Sequence, residues 1–417
     1  MAKFFAGQRL RLTLPLTAIA LVLSACGNDD EVNRGSIVTD TAITTLTKSQ
    51  IDAAMTAAGA SVLTGAAKCD VTLREVVYNT AGPDGKMYQV SSAVLVPGGT
   101  GCAGPYSVVS YNRGTEVVKA RTMASATDPE TGLLMGMLAA QGYVVVATDY
   151  LGFAKSNHDY HPYLHAESQA STTIDAVIAA NSVLGKLGVS TNGKVFLTGY
   201  SQGGHASMAT QKVLEASPAL GVKVTAAGHM SGPYNLSGAF VAGLSFLPSG
   251  TGGSTVFTPY LTGGYQKIYR NLYTATTDLY KAPYATGIEN LLPGTLTFNQ
   301  LFTTGKLPAA LGDLLTPKAI GDVTDANSGL RKALDANTLL GWKPAAPVLL
   351  CGGSKDPVVL FAVNTTVSAQ NITSLGGTVS VVDVDPFVPP STPLDSYHGG
   401  AVPPLCLKSV RDFFNTK

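Results

Sequence analysis

An α/β fold, with a mostly parallel central sheet and helices on both faces, is predicted by three features of the chain. Residues 106–111, 143–148, 194–200 and 222–228 are short, β-branched and nearly continuously apolar, as strands covered on both faces must be. Helical patterns separate most of them, notably 168–187, where Ile174, Val177, Ile178, Leu184 and Leu187 recur at helical spacing. Finally, the run at 194–200 enters Gly199-Tyr200-Ser201-Gln202-Gly203-Gly204 and continues into a proline-free stretch rich in helix formers, a strand, tight turn and helix in order.

The elements follow from the N-terminus. Lys3, Arg9 and Arg11 precede an apolar run at 12–23 that ends in Leu23-Ser24-Ala25-Cys26, the layout of a secretory signal. Residues 1–25 are therefore expected to be removed. The tetrapeptide resembles a bacterial lipobox, which implies diacylation of Cys26; an ordinary signal peptide with a chance cysteine is the other reading. The run is too short to span a membrane. Residues 26–48 are polar and threonine-rich without sustained periodicity and predict a flexible tether. Gly27, rather than aspartate, after the lipid-bearing cysteine favours the outer membrane. The expected product is exported, and either lipid-anchored to the cell envelope through Cys26 or secreted.

Residues 49–417 are long enough for one large α/β domain with an insertion. Runs at 71–78 and 87–96 alternate in polarity around a Gly-Pro-Asp-Gly turn and predict an antiparallel hairpin. The four buried strands follow. Residues 347–351 and 378–384 add two more, and 405–414 a closing helix. Between Gly228 and Pro347 lie more than a hundred residues, far beyond one crossover helix. They predict a cap at about 236–342, between the sixth and seventh strands, with Gly-rich turns at 248–264 and a helical tyrosine series, Tyr265, Tyr269 and Tyr273, packing its core.

Charge is nearly balanced, with 28 Lys and Arg against 27 Asp and Glu, and no basic tract is present. That excludes a nucleic-acid surface. With Cys26 set aside, Cys69, Cys102, Cys351 and Cys406 form an even set in an oxidising compartment. Of the three connectivities, Cys69 with Cys102 and Cys351 with Cys406 keeps each bridge local in this fold. No Cys-x-x-Cys or His-Glu-x-x-His spacing occurs, so no metal site is expected.

Ser201, between glycines at a strand-to-helix turn, matches the G-x-S-x-G nucleophile elbow. A serine hydroxyl needs a base, and the base needs an orienting acid. Asp356 follows the penultimate strand and His398 follows the last, completing the order Ser, Asp, His of the α/β-hydrolases. Asp383 and Asp385 are rival acids at the end of the last strand. His205, one turn after Ser201, and His229 have structural roles by position; His158, His161 and His165 cluster around Pro162 without metal-ligand spacing. The backbone N–H of Gln202 is the first expected oxyanion donor. The second is the Thr115 amide in Asn112-Arg113-Gly114-Thr115, with Gly114 as the fallback.

Ser110-Tyr111-Asn112-Arg113-Gly114-Thr115, Thr148-Asp149-Tyr150-Leu151-Gly152, His161-Pro162-Tyr163-Leu164, the elbow and the Asp356 and His398 loops together resemble the α/β-hydrolase superfamily. Within it they resemble the secretory lipases related to fungal lipase A, here in a bacterial lipoprotein form. The resemblance implies an acyl-ester hydrolase with a helical cap bordering an apolar acyl pocket. Its substrates would be carboxylic esters, from short-chain esters to lipids or polyesters, and it would need no cofactor. A serine peptidase or acyltransferase on the same triad, and a non-catalytic envelope-binding lipoprotein, remain as alternatives.

Overall fold

The computed structural model describes residues 33–247 and 253–417. The expected signal peptide and Cys26 lie outside the described residues. Among the described residues nine strands form one sheet: β1 (Ile37–Leu46), β2 (Asp70–Ala81), β3 (Met87–Gly98), β4 (Tyr106–Asn112), β5 (Tyr143–Thr148), β6 (Thr191–Tyr200), β7 (Val224–Met230), β8 (Val348–Gly352) and β9 (Val379–Asp383). Their spatial order is β1-β2-β3-β5-β4-β6-β7-β8-β9. Pairing is antiparallel from β1 through β3 to β5 and parallel from β5 to β9.

Strand β1 corrects the tether expected at 26–48. Eight of its ten residues pair antiparallel with β2, from Ile37 opposite Tyr78 to Leu46 opposite Val71, with the register shifting at Val38 and Ile43. The threonines that read as linker are β-branched, and such residues suit an edge strand with much of its surface wet. Arg74 Nε bonds Asp40 Oδ1 at 2.7 Å and Thr45 bonds Thr72 at 2.9 Å across the pair, so polar side chains hold the register.

Alternate residues of the parallel strands enter opposite cores. Val145 and Phe196 pack with Leu134, Val402, Val410 and Phe414 on one face. Val144, Val146 and Leu197 pack with Ile174, Val177, Met208 and Ile372 on the other. Among the described residues the disulfides are Cys69–Cys102 and Cys351–Cys406, the local pairing. Among the described residues no helix is long and apolar enough to cross a membrane.

Between β7 and β8 the chain forms helices that include Leu236–Gly243, Ser254–Tyr269, Pro317–Thr324 and Gly329–Ala336. Leu261, Tyr265, Leu301, Leu314 and Leu334 build their core with Tyr150, Phe153 and Tyr163. Where Gly-rich turns are expected, residues 254–264 are helical. A Cβ on Gly264 would lie 3.3 Å from His161 O and one on Gly263 3.5 Å from Glu289 O, so Gly264 lets the helix approach the backbone at 161–163 rather than turn the chain. Tyr273 lies outside the helix, which ends where Arg270 adopts φ 59°, yet it packs against the core of the insertion, its hydroxyl donating to Glu289 at 2.5 Å.

Candidate active site

Ser201 sits at the turn between β6 and helix Gln202–Ala216 with φ 57° and ψ −118°, a backbone state that costs a non-glycine residue of order 1–3 kcal/mol. The glycines around it are sterically required. A Cβ on Gly203 would fall 1.8 Å from Asn112 O, and one on Gly204 2.5 Å from Met230 O. The loop after β4 and the end of β7 therefore press directly on the elbow and hold its strained turn.

Ser201 Oγ lies 2.8 Å from His398 Nε2, and His398 Nδ1 lies 2.6 Å from Asp356 Oδ2. The other carboxylate oxygen of Asp356 accepts the Val358 and Val359 N–H groups at 2.9 and 3.0 Å, so Asp356, only 3% exposed, has a fixed orientation. The rivals face elsewhere. Asp383 Oδ1 accepts the Ser354 and Asp385 amides, and Asp385 binds the Tyr397 hydroxyl at 2.6 Å and Lys355 at 3.0 Å. His398 is carried on a wide helical turn, Tyr397–Ala401, of the kind often found at functional sites.

Sequence reasoning missed Tyr200, whose hydroxyl donates to His398 O at 2.5 Å while its ring lies 5.1 Å from the imidazole. Burial, then the Asp356 charge, pushes its phenol up, so the donor proton stays in place. The signal was its place beside Ser201 in the elbow, which puts a large side chain next to His398.

The Gln202 N–H opens a helix and the Thr115 N–H lies in the loop after β4; neither has a hydrogen-bond partner among the described residues. The fallback amide of Gly114 is engaged by Glu130 Oε1 at 3.3 Å. The Gln202 side chain is tied down as well, its Nε2 donating to His161 Nε2 at 2.6 Å while His161 Nδ1 donates to Leu151 O at 2.8 Å. This arrangement requires a neutral ring. Burial, reinforced by the nearby Arg113 cation, lowers the His161 pKa to about 3. His205 bonds Gln169 and Asn337 O, and His229 bonds Ser207 and Gln211. Both are buried structural histidines. His158 and His165 bond Tyr160 O and Ser168, so these rings are occupied by protein partners.

A cavity of about 140 Å³ opens beside Ser201 and Gln202 and extends among Leu236, Phe240, Phe257, Leu315 and Val323 of the helical insertion. Its wall is mainly aliphatic and aromatic, which suits a hydrocarbon chain. Thr262 and Tyr280, hydrogen-bonded to each other, are polar groups in that wall.

A family profile described as Secretory lipase matches residues 117–384. The chain belongs to the secretory lipase family. This secretory lipase is similar along its length to solved structures. The ligand-bound form of the rice cell wall degrading esterase LipA from Xanthomonas oryzae is 33% identical, with TM-score 0.83 over 91% of this chain and 98% of that one. A putative hydrolase from Legionella pneumophila is 23% identical, with TM-score 0.79 over 91% and 97%. Candida antarctica lipase A in its closed state is 16% identical, with TM-score 0.62 over 84% and 76%. These last two share the fold. No curated protein matches by sequence. The family and the LipA similarity make this protein an ester hydrolase of the lipase and esterase class on the α/β-hydrolase fold.

Proposed function

We propose that this ester hydrolase works through an acyl-enzyme on Ser201. The observation that carries the proposal is the continuous bonding from Ser201 Oγ through His398 to Asp356, at 2.8 and 2.6 Å. As Ser201 Oγ attacks the ester carbonyl, His398 Nε2 takes its proton and Asp356 stabilises the resulting imidazolium. Charge gathering on the carbonyl oxygen is met by the Gln202 and Thr115 amides. Collapse breaks the bond to the alcohol, which leaves with the proton from His398. Water then repeats the sequence on the acyl group and releases the acid. Every step balances with ester and water alone. The apolar cavity receives the acyl chain, so the favoured substrates are carboxylic esters with a hydrocarbon acyl part.

The signal layout before Cys26 and the tetrapeptide 23–26 support export and a lipid anchor at the cell envelope. A fluorophosphonate probe tests both parts in intact cells. It should label the wild type in the envelope fraction, label Cys26→Ser in a released or mislocalised form, and fail to label Ser201→Ala. Purified Ser201→Ala should lose about 10⁴-fold or more in kcat. Labelling of folded Ser201→Ala would overturn the nucleophile assignment, and an unchanged envelope fraction for Cys26→Ser would overturn the anchor.

A further inference from the structure

We propose that Arg121 is a positioning residue for ester hydrolysis, clamping the loop that carries the Thr115 amide; this rests on the reading of Thr115 as the second oxyanion donor. Thr115 lies between two peptide segments held by carboxylates. On its N-terminal side the Gly114 N–H donates to Glu130 Oε1 at 3.3 Å. On its C-terminal side Glu116 Oε1 accepts the Val117 and Val118 N–H groups at 2.6 and 2.7 Å. The remaining oxygens of both carboxylates converge on one guanidinium. Arg121 Nη2 reaches Glu130 Oε2 at 2.8 Å, Nη1 reaches Glu116 Oε2 at 2.9 Å, and Nε reaches Asp128 Oδ2 at 2.7 Å.

The clamp is anchored in the fold. Asp128 caps helix Pro129–Met137, accepting the Thr131 N–H at 2.9 Å, and Leu134, Met135 and Met137 of that helix are buried in the core. Glu130 also accepts the Tyr111 hydroxyl at 2.7 Å, at the end of β4. Without the cation, three carboxylates in close quarters would repel one another and splay the loop. Burial opposes the Arg121 charge, but Asp128, Glu130 and Glu116 outweigh it and hold the guanidinium above its usual range. A rigid fork that meets three acceptors is a geometry lysine does not reproduce.

The consequence falls on the reaction through preorganisation. An amide stabilises a developing oxyanion fully only if it is already in place when charge appears. The Arg121 bridge denies the loop between Gly114 and Glu116 the freedom to relax, so its loss should act on kcat more than on binding.

The test combines Arg121→Met, Arg121→Lys and Thr115→Pro, which deletes the amide hydrogen itself, in p-nitrophenyl ester hydrolysis with unfolding midpoints measured alongside. Arg121→Met should lower kcat by about 10- to 100-fold with KM within about twofold, Arg121→Lys should recover part of the loss, and Arg121→Met should add nothing in the Thr115→Pro background. Wild-type kcat in Thr115→Pro removes the Thr115 assignment and the inference with it. A loss in Thr115→Pro combined with wild-type kcat in Arg121→Met, or losses that multiply in the double variant, overturns the inference alone. Should Arg121→Met or Thr115→Pro not fold, Glu130→Gln keeps an acceptor for Gly114 but not the charge partner of Arg121. It should then lower kcat at unchanged KM, and unchanged kcat overturns the inference.

Discussion

At the residue scale the site depends on what is missing from Gly203 as much as on what Ser201 carries. The space a methyl group would need there is filled by Asn112 O and Arg113 O, at 1.8 and 2.7 Å from the ideal Cβ. The elbow and the loop after β4 are therefore packed tightly against each other. Gly203→Ala should displace the loop, cost about 2–4 kcal/mol of stability and, with the Thr115 amide acting as the proposed oxyanion donor, lower kcat by about 100-fold. Unfolding midpoint and kcat measured together check this; wild-type values for both would sink it. Tyr200 illustrates a role that motif reading passes over. The elbow pattern leaves its position free, yet its hydroxyl and ring hold the backbone and imidazole of His398.

At the element scale, the segments bearing Asp356 and His398 are joined twice. Strand β8 leads into the Asp356 loop, and helix Val402–Phe414 follows His398; Cys351 on the first is bonded to Cys406 on the second, a sequence separation of 55. The second tie runs through Asp385 just after β9, which accepts the Tyr397 hydroxyl beside His398 and pairs with Lys355 of the Asp356 loop. Loop closure of this length is worth about 4 kcal/mol in the chain-entropy view. The pair Cys351→Ala and Cys406→Ala should therefore lose about 2–4 kcal/mol by urea unfolding, and reductant should then shift its midpoint less than that of the wild type. An unaltered midpoint would show that the bridge contributes nothing. Strand β1 gives the opposite lesson about legibility. Its composition is that of a linker, and only the exposed side of β2 makes it a strand, because pairing partners are not written in the paired segment.

At the scale of the whole molecule, burial has placed five histidines, His158, His161, His165, His205 and His229, in the interior and lowers the pKa of each, favouring neutral rings. Desolvation lowers His161 and His229 to about 3 and His165 and His205 to about 4, while their unfolded-state value is near 6.5. Below that value the unfolded chain binds protons that the folded chain refuses, so stability is complete above about pH 6.5 and falls as pH drops toward 4 and 3. Each ring contributes at most about 1.4 kcal/mol per pH unit over that window. Urea midpoints between pH 8 and pH 5 should be flat at first and then decline steeply. A midpoint rising as the solution is acidified below pH 6.5 would contradict the neutral assignment.

The sequence by itself determined what local chemistry and periodicity carry: the parallel strands, the helix after the elbow, Ser201, Asp356 and His398 as candidates for one site, which the structure brings into hydrogen-bond reach, and the length of the insertion. These are visible because an apolar run covered on both faces, or a serine between glycines, has the same meaning wherever it sits in space. Tertiary structure alone decided the strand at 37–46, the helix through Gly263 and Gly264, the hold of Tyr200 on His398 and the convergence of Glu116, Asp128 and Glu130 on Arg121. Each of those depends on which surface is brought alongside, and the free energy of an edge pairing, a close backbone approach or a buried ion cluster exists only once the partner has arrived.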